Sequence, residues 1–324
     1  YGACLRILER IDADVIAFSE ADPAGGFAQL RNLLADLGMG GGDEYFAAAG
    51  EGYLGAVFDE GDFGSGIAVA VASRWPIVER EQIGRGDPGR REMTRFPLWV
   101  KVDVPWTESD PGFVAVHLKA GSSRADIFRR AVEGRRIRDF LESSGISGAG
   151  DQVFLLGDFN EDIEDSVPAN VFTGINPAIH VFSDGSTLPP SYLLGDDLAS
   201  PGVSLPYRRF PEPAFEPLGI EVLDARQLDG RQATFNAFGD GRLDYILTGS
   251  ATSTNTPPAV EVYNSVLDGR EDGVPKLGPV PWGADSFVAS DHHLVFGDFV
   301  LDPAAQILVD VSPGEVDEAS PIPN

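Results

Sequence analysis

Four apolar residues, Val153-Phe154-Leu155-Leu156, run directly into Gly157-Asp158-Phe159-Asn160. This junction constrains the fold more tightly than any other stretch. A short apolar run closed by glycine reads as a fully buried strand. On an extended backbone, an Asp and an Asn two residues apart point to the same side of the sheet. One is anionic, and the other offers both a donor and an acceptor. At the carboxyl end of a buried strand, the pair is placed to hold an activated water and an oxyanion together. The motif is short, so its meaning depends on partners elsewhere in the chain.

Other elements are legible around it. Leu5 to Ile11 reads as a helix and Asp14 to Glu20 as a buried strand. Phe27 to Leu37 reads as a second helix, stopped by Gly38 to Gly42. Gly66 to Ser73, Phe96 to Val104 and Phe113 to Lys119 read as strands, and Ala125 to Leu141 as an Arg-rich amphipathic helix. Leu243 to Thr248 and Leu294 to Leu301 complete the strand set. Stretches 161–220 and 250–287 are rich in Pro, Gly and Ser, as functional loops often are. Residues 303–324 read as an acidic tail or linker following a domain over 1–302.

Composition narrows the partners. Asp and Glu number 51 against 24 Lys and Arg, a net charge of −27. Such a surface repels polyanions at low salt. No stable complex with duplex DNA is expected there, because nonspecific affinity comes from cations that neutralise phosphates. The plainer reading of the charge is solubility or adaptation to a salty medium. The low Lys content and acidic surface suit an exported bacterial protein. No segment has the apolar length to cross a bilayer. Cys4 is the single cysteine, so no intrachain disulfide forms, and it reads as a small core residue.

Polar residues recur at the ends of these strands. Glu20 ends one, His117 lies in another, and Asp158 and Asn160 close a third. Asp244 begins a fourth, and Ser290-Asp291-His292-His293 leads into the last. A charged residue beside an apolar run is costly unless paired or bound to metal. Sites drawn from across the chain therefore suggest one shared cleft. Each also has a plain structural reading: strand-end carboxylates for Glu20 and Asp244, a satisfied core histidine for His117. His293 points opposite to His292 on an extended segment and reads as structural. His180 is assigned no role.

Taken in order, these pieces resemble the endonuclease/exonuclease/phosphatase family of Mg²⁺-dependent phosphoesterases. The matching segments are Val15-Ile16-Ala17-Phe18-Ser19-Glu20, Ala72-Ser73-Arg74-Trp75-Pro76-Ile77 and Val116-His117-Leu118-Lys119. Gly157-Asp158-Phe159-Asn160, Leu243-Asp244-Tyr245-Ile246 and Ser290-Asp291-His292 follow. The resemblance implies a four-layer α/β sandwich, with two mixed β-sheets face to face and helices outside. It implies Mg²⁺, with Mn²⁺ or Ca²⁺ as substitutes, held by Glu20, with Asp291 a ligand directly or through water. Asp158 would orient or deprotonate the attacking water, and Asn160 would hold a phosphate oxygen. His292, oriented by Asp244, would bind the phosphate or act as acid/base. His117 would be a second phosphate contact.

The chain departs from the family pattern in two places. Ser19 stands where a Gln is usual. The family also opens with a strand ending in a Thr-Phe-Asn-like motif, and such a strand is expected upstream of Tyr1. Thr234-Phe235-Asn236 reads as a decoy for it. The activity implied is a phosphodiesterase or nuclease acting on a phosphorylated substrate, with nucleic acid one candidate. The alternatives are a phosphomonoesterase for a small molecule, a lipid phosphodiesterase with Trp282 and Phe287 exposed, and a noncatalytic module on the same fold. Arg85, Arg90, Arg91 and Arg95 form a loop cluster suited to phosphate or, equally, to salt bridges.

Overall fold

The computed structural model describes residues 1–21, 28–37, 46–49, 67–84, 93–122, 124–165, 169–175, 213–235, 241–249, 252–254, 260–269 and 273–301. Arg85, Arg90, Arg91, His180, Asn236 and the 303–324 segment lie outside the described residues. The helices are α1 (Gly2–Ile11), α2 (Ala28–Asp36), α3 (Arg124–Ser143) and α4 (Asp285–Ala289). The first seven strands are β1 (Val15–Ala21), β2 (Phe46–Ala49), β3 (Ala68–Ser73), β4 (Ile77–Gln82), β5 (Leu98–Val102), β6 (Gly112–His117) and β7 (Val153–Asp158). They are followed by β8 (Ala169–Asn170), β9 (Gly174–Ile175), β10 (Ile220–Val222), β11 (Asp244–Gly249), β12 (Ser253–Thr254), β13 (Val260–Val262), β14 (Val295–Gly297) and β15 (Phe299–Val300).

Alternation along the strands builds the layers. In β3, Val69 and Val71 face the six-stranded sheet β10-β11-β7-β6-β5-β4, where they meet Val100, Phe113, Ala115 and Phe154. Ala70 and Ala72 face the other way, onto Leu8 of α1 and Leu30, Leu33 and Leu34 of α2. In β6, Val114 and Val116 turn from that inter-sheet layer toward Ile137 and Leu141 of α3. The order is therefore helix, three-stranded sheet β1-β3-β2, six-stranded sheet, helix. This is the expected four-layer sandwich. Phe113 and Phe154 stack in the middle layer, with centroids 5.0 Å apart. The β6–β7 pair is parallel, and the remaining pairs of the large sheet are antiparallel. Among the described strands, β1 pairs only with β3. Cys4 is half-buried against the α1–α2 layer, as a small core residue should be. No described helix is long and apolar enough to cross a membrane.

Two elements differ from the sequence reading. The last strand is not continuous over Leu294 to Leu301. It breaks at Asp298 into β14, paired with β13, and β15, paired with β12. Strand β4, Ile-Val-Glu-Arg-Glu-Gln, went unread because its exposed charges hide the alternation. As the outer strand of the large sheet it needs no apolar outer face, and edge charges deter pairing with other chains.

Gly157 joins the fold to the site. Its φ is +129°, and a Cβ there would lie 2.2 Å from the Val116 carbonyl oxygen across the parallel pair. The clash is with backbone, so neither strand can yield cheaply. Gly157→Ala is expected to lose about 3 kcal/mol or more of unfolding free energy. The same change at Gly230, also at positive φ but with nothing within 4 Å, carries strain alone, about 1 kcal/mol. Urea midpoints of the two variants measure the difference; equal losses would refute the clash.

Candidate active site

The carboxyl ends of β6 and β7 bring His117 and Asp158 side by side in register. β11 runs antiparallel to β7, so its first residue, Asp244, lies directly across from Asp158. Two carboxylates thus face one another at the rim of a buried sheet. Asp158 is 5% exposed. Burial pushes its carboxyl up and Asp244 adds to the shift, while His292, the Asn160 amide and Arg95 draw it back.

Asn160 joins this group by a different route from the one its spacing suggests. The strand ends at Asp158, and Asn160 has a left-handed φ of 51°. Asp158 Oδ1 accepts the Asn160 backbone N–H at 2.7 Å, and Asp158 Oδ2 accepts its side-chain Nδ2–H at 3.0 Å. The two side chains converge through a tight turn rather than through β-alternation; Asn tolerates this backbone better than most residues. Asn160 Nδ2 also donates to the Leu118 carbonyl at 3.1 Å.

His292 Nδ1 lies 2.7 Å from Asp244 Oδ2. Thr234 secures the aspartate, because its Oγ1 accepts the backbone N–H groups of Leu243 and Asp244 at 2.9 and 3.0 Å. The histidine is held by a bridge to Phe235, by ring contact with Phe235 at 4.9 Å, and by its N–H on Ser290 Oγ at 3.0 Å. Burial disfavours the imidazolium, but the Asp244 hydrogen bond, the Asp244 charge and Asp158 outweigh it and raise the pKa to about 9. One potential ligand atom each from Asp158, Asp244 and His292 lies within 4.8 Å of the others.

The remaining predicted residues fall around this trio. His117 is 3% exposed, with Nε2 3.4 Å from Asp158 Oδ2. Burial, with repulsion from Arg95 and His292, pushes its pKa down to about 3, so the ring is neutral. Glu20 is exposed and sits at a positive φ of 59°, where the β1–β3 register slips between Phe18 and Ala21. Asp291 is exposed, and its charge acts on His292. Neither Glu20 nor Asp291 belongs to the close trio. His293 is buried against Phe287, and its backbone N–H donates to the Thr234 carbonyl at 2.6 Å.

Arg95 enters the site from the loop before β5. Its Nη1 donates to the carbonyls of His117 and Leu118 at 3.2 and 2.8 Å. Burial lowers its pKa, whereas Glu133, Asp158 and Glu20 raise it. It thus lies within the electrostatic reach of both the trio and Glu20. Thr234 and Phe235, which are not the first-strand motif they resemble, support Asp244 and His292; their position just before Asp244 in sequence was the available signal. Glu133 was also missed. It shares a helical stripe with Ile137 and Leu141, four and eight residues on, and a carboxylate on an apolar stripe is itself a signal.

With the fold and these groups in place, comparison with known proteins defines the class. The sequence matches the endonuclease/exonuclease/phosphatase family over residues 2–292. The chain belongs to that family of phosphoester hydrolases. A family protein from Beutenbergia cavernae DSM 12333 is similar in structure, with a TM-score of 0.52 at 19% identity over 93% of this chain. The match spans 65% of that protein's length. ANGEL2, described as a 2′,3′-cyclic phosphatase bound to adenosine-2′,3′-vanadate, aligns with a TM-score of 0.53 at 13% identity. That alignment covers 91% of this chain and 84% of ANGEL2. At these identities both establish shared fold. No curated protein matches the sequence.

Proposed function

We propose that the protein is a Mg²⁺-dependent phosphodiesterase of the nuclease type. The observation that carries this reading is the convergence of Asp158, Asp244 and His292 within 4.8 Å. The trio supplies the water-and-phosphate half of the site; a hard divalent cation, which prefers carboxylate oxygen, fits instead the exposed carboxylates of Glu20 and Asp291. Burial is the main pressure on Asp158, and the repulsion from Asp244 that adds to it is what a nearby cation would relieve. Glu20 and Asp291 would hold Mg²⁺, whose charge, when bound, neutralises the scissile phosphate and its leaving oxygen.

The side chains supply the rest. Asp158, with its affinity for a proton raised, takes one from the attacking water. His292 is protonated at neutral pH and held through Nδ1 by Asp244, which leaves Nε2 to donate to a phosphate oxygen. Asn160 Nδ2 has one hydrogen on the Leu118 carbonyl and the other on Asp158. The second is the hydrogen bond it can redirect to a phosphate oxygen, with no proton leaving the amide. His117, neutral and with Nε2 beside Asp158, steadies that carboxylate.

Rates on bis(p-nitrophenyl) phosphate, p-nitrophenyl phosphate, single-stranded DNA and RNA test this, with Mg²⁺ and after chelation. Diester hydrolysis restored by Mg²⁺ is expected. Faster cleavage of the monoester would replace the diesterase reading with a phosphomonoesterase, and full activity in chelator would refute the metal requirement.

A further inference from the structure

Glu133 has no exposed surface. It projects from α3 between two loops that reach the site. Its Oε1 accepts the Thr94 backbone N–H at 2.6 Å, and its Oε2 accepts the Lys119 backbone N–H at 2.7 Å. Both bonds bear on site residues. Thr94 immediately precedes Arg95. The Lys119 N–H belongs to the same peptide unit as the Leu118 carbonyl. That carbonyl accepts from Arg95 Nη1 at 2.8 Å and from Asn160 Nδ2 at 3.1 Å.

A peptide unit is planar, so fixing its N–H fixes the direction of its C=O. Hydrogen bonding to a carboxylate also polarises the group and strengthens the bonds its oxygen accepts. We propose that Glu133 is a positioning residue: through the Leu118–Lys119 peptide it aims Arg95 and Asn160 together at the substrate phosphate. This role rests on the phosphoesterase reading given above. Two N–H groups converge on the side chain, so position 133 needs two acceptors. Glutamate provides them, whereas glutamine provides one acceptor and one donor that would confront an N–H. Glu133→Gln is nearly unchanged in volume but releases one of the two loops.

The test is a double-mutant cycle on bis(p-nitrophenyl) phosphate, using wild type, Glu133→Gln, Arg95→Ala and the double variant. Glu133→Gln is expected to lower kcat by about 10- to 100-fold, as loss of orientation does, while KM moves by less than about threefold. With Arg95 already removed, the further loss should shrink to the part carried through Asn160, because coupled residues are not additive. A Glu133→Gln loss that is undiminished in the Arg95→Ala background overturns the positioning role, as does unchanged kcat. Amide exchange on the wild type provides a second measurement that does not depend on any variant folding. The Lys119 and Thr94 N–H groups are expected to be protected, and rapid exchange at Lys119 overturns the inference. A wild type inactive on every phosphoester would instead overturn the reaction reading, so the two failures are distinct.

Discussion

Asp158→Asn is expected to reduce phosphodiester hydrolysis by about 10³-fold, within the range for losing a general base. The amide keeps Oδ1 as acceptor for the Asn160 backbone N–H, so the turn survives, while the bond from Asn160 Nδ2 to Oδ2 and the capacity to take a proton are lost. Stability should not fall with it. Burial, with Asp244 adding to it, raises the folded-state pKa of Asp158 above the ordinary carboxylate value. The folded protein therefore binds more protons than the unfolded chain across that window, and stability falls as pH rises through it. Removing the charge relieves that penalty and offsets the lost Asn160 side-chain bond, so at neutral pH the Tm should hold roughly steady. Measured kcat together with thermal unfolding decides the matter. A variant that loses activity and also several degrees of Tm would show that Asp158 is chiefly structural.

The second large effect is expected at His292. His292→Ala should lower kcat by about 10²- to 10³-fold, as loss of a positioned proton donor does. Asp244→Asn separates the charge from the ring. Burial alone would lower the imidazole pKa; the Asp244 bond and charge, helped by Asp158 and Asp291, raise it from 6.5 to about 9. The stability from this pair is fully present below pH 6.5 and is lost as pH rises through about 9. In Asp244→Asn only Asp158 and Asp291 are left to oppose burial, so the titration of His292 should fall from about 9 and the alkaline limb of the rate profile should follow it. NMR titration of the ring and the pH dependence of kcat measure the two shifts. An alkaline limb that stays near pH 9 in Asp244→Asn would sink the assignment of that limb to His292.

Much of this protein is legible along the chain. Valines 69 and 71 alternate with alanines 70 and 72, and that period of two is enough to sort side chains between the inter-sheet layer and the helical layer. Asp158, His117, Asp244 and His292 announce themselves as polar groups beside apolar runs, because such placements are costly unless compensated. Where the local signal is weak, the reading fails for physical reasons. Strand β4 has no apolar face to display, since it lies at a sheet edge. Asn160 reaches Asp158 through a left-handed turn that residue spacing does not encode.

The sequence by itself determined the α/β elements through periodicity; the four-layer arrangement followed from the family resemblance, and the cost of stranded charge marked His117, Asp158, Asp244 and His292. Tertiary structure alone decided their alliances. Asp244 opposes Asp158 because β11 runs antiparallel to β7 in one register, which a slip of a single residue would abolish. Thr234 steadies Asp244, and Glu133 reaches Thr94 and Lys119 across 39 and 14 positions of chain. Such bonds depend on direction over a few ångströms. Only the packed sheets and the helix above them set that direction.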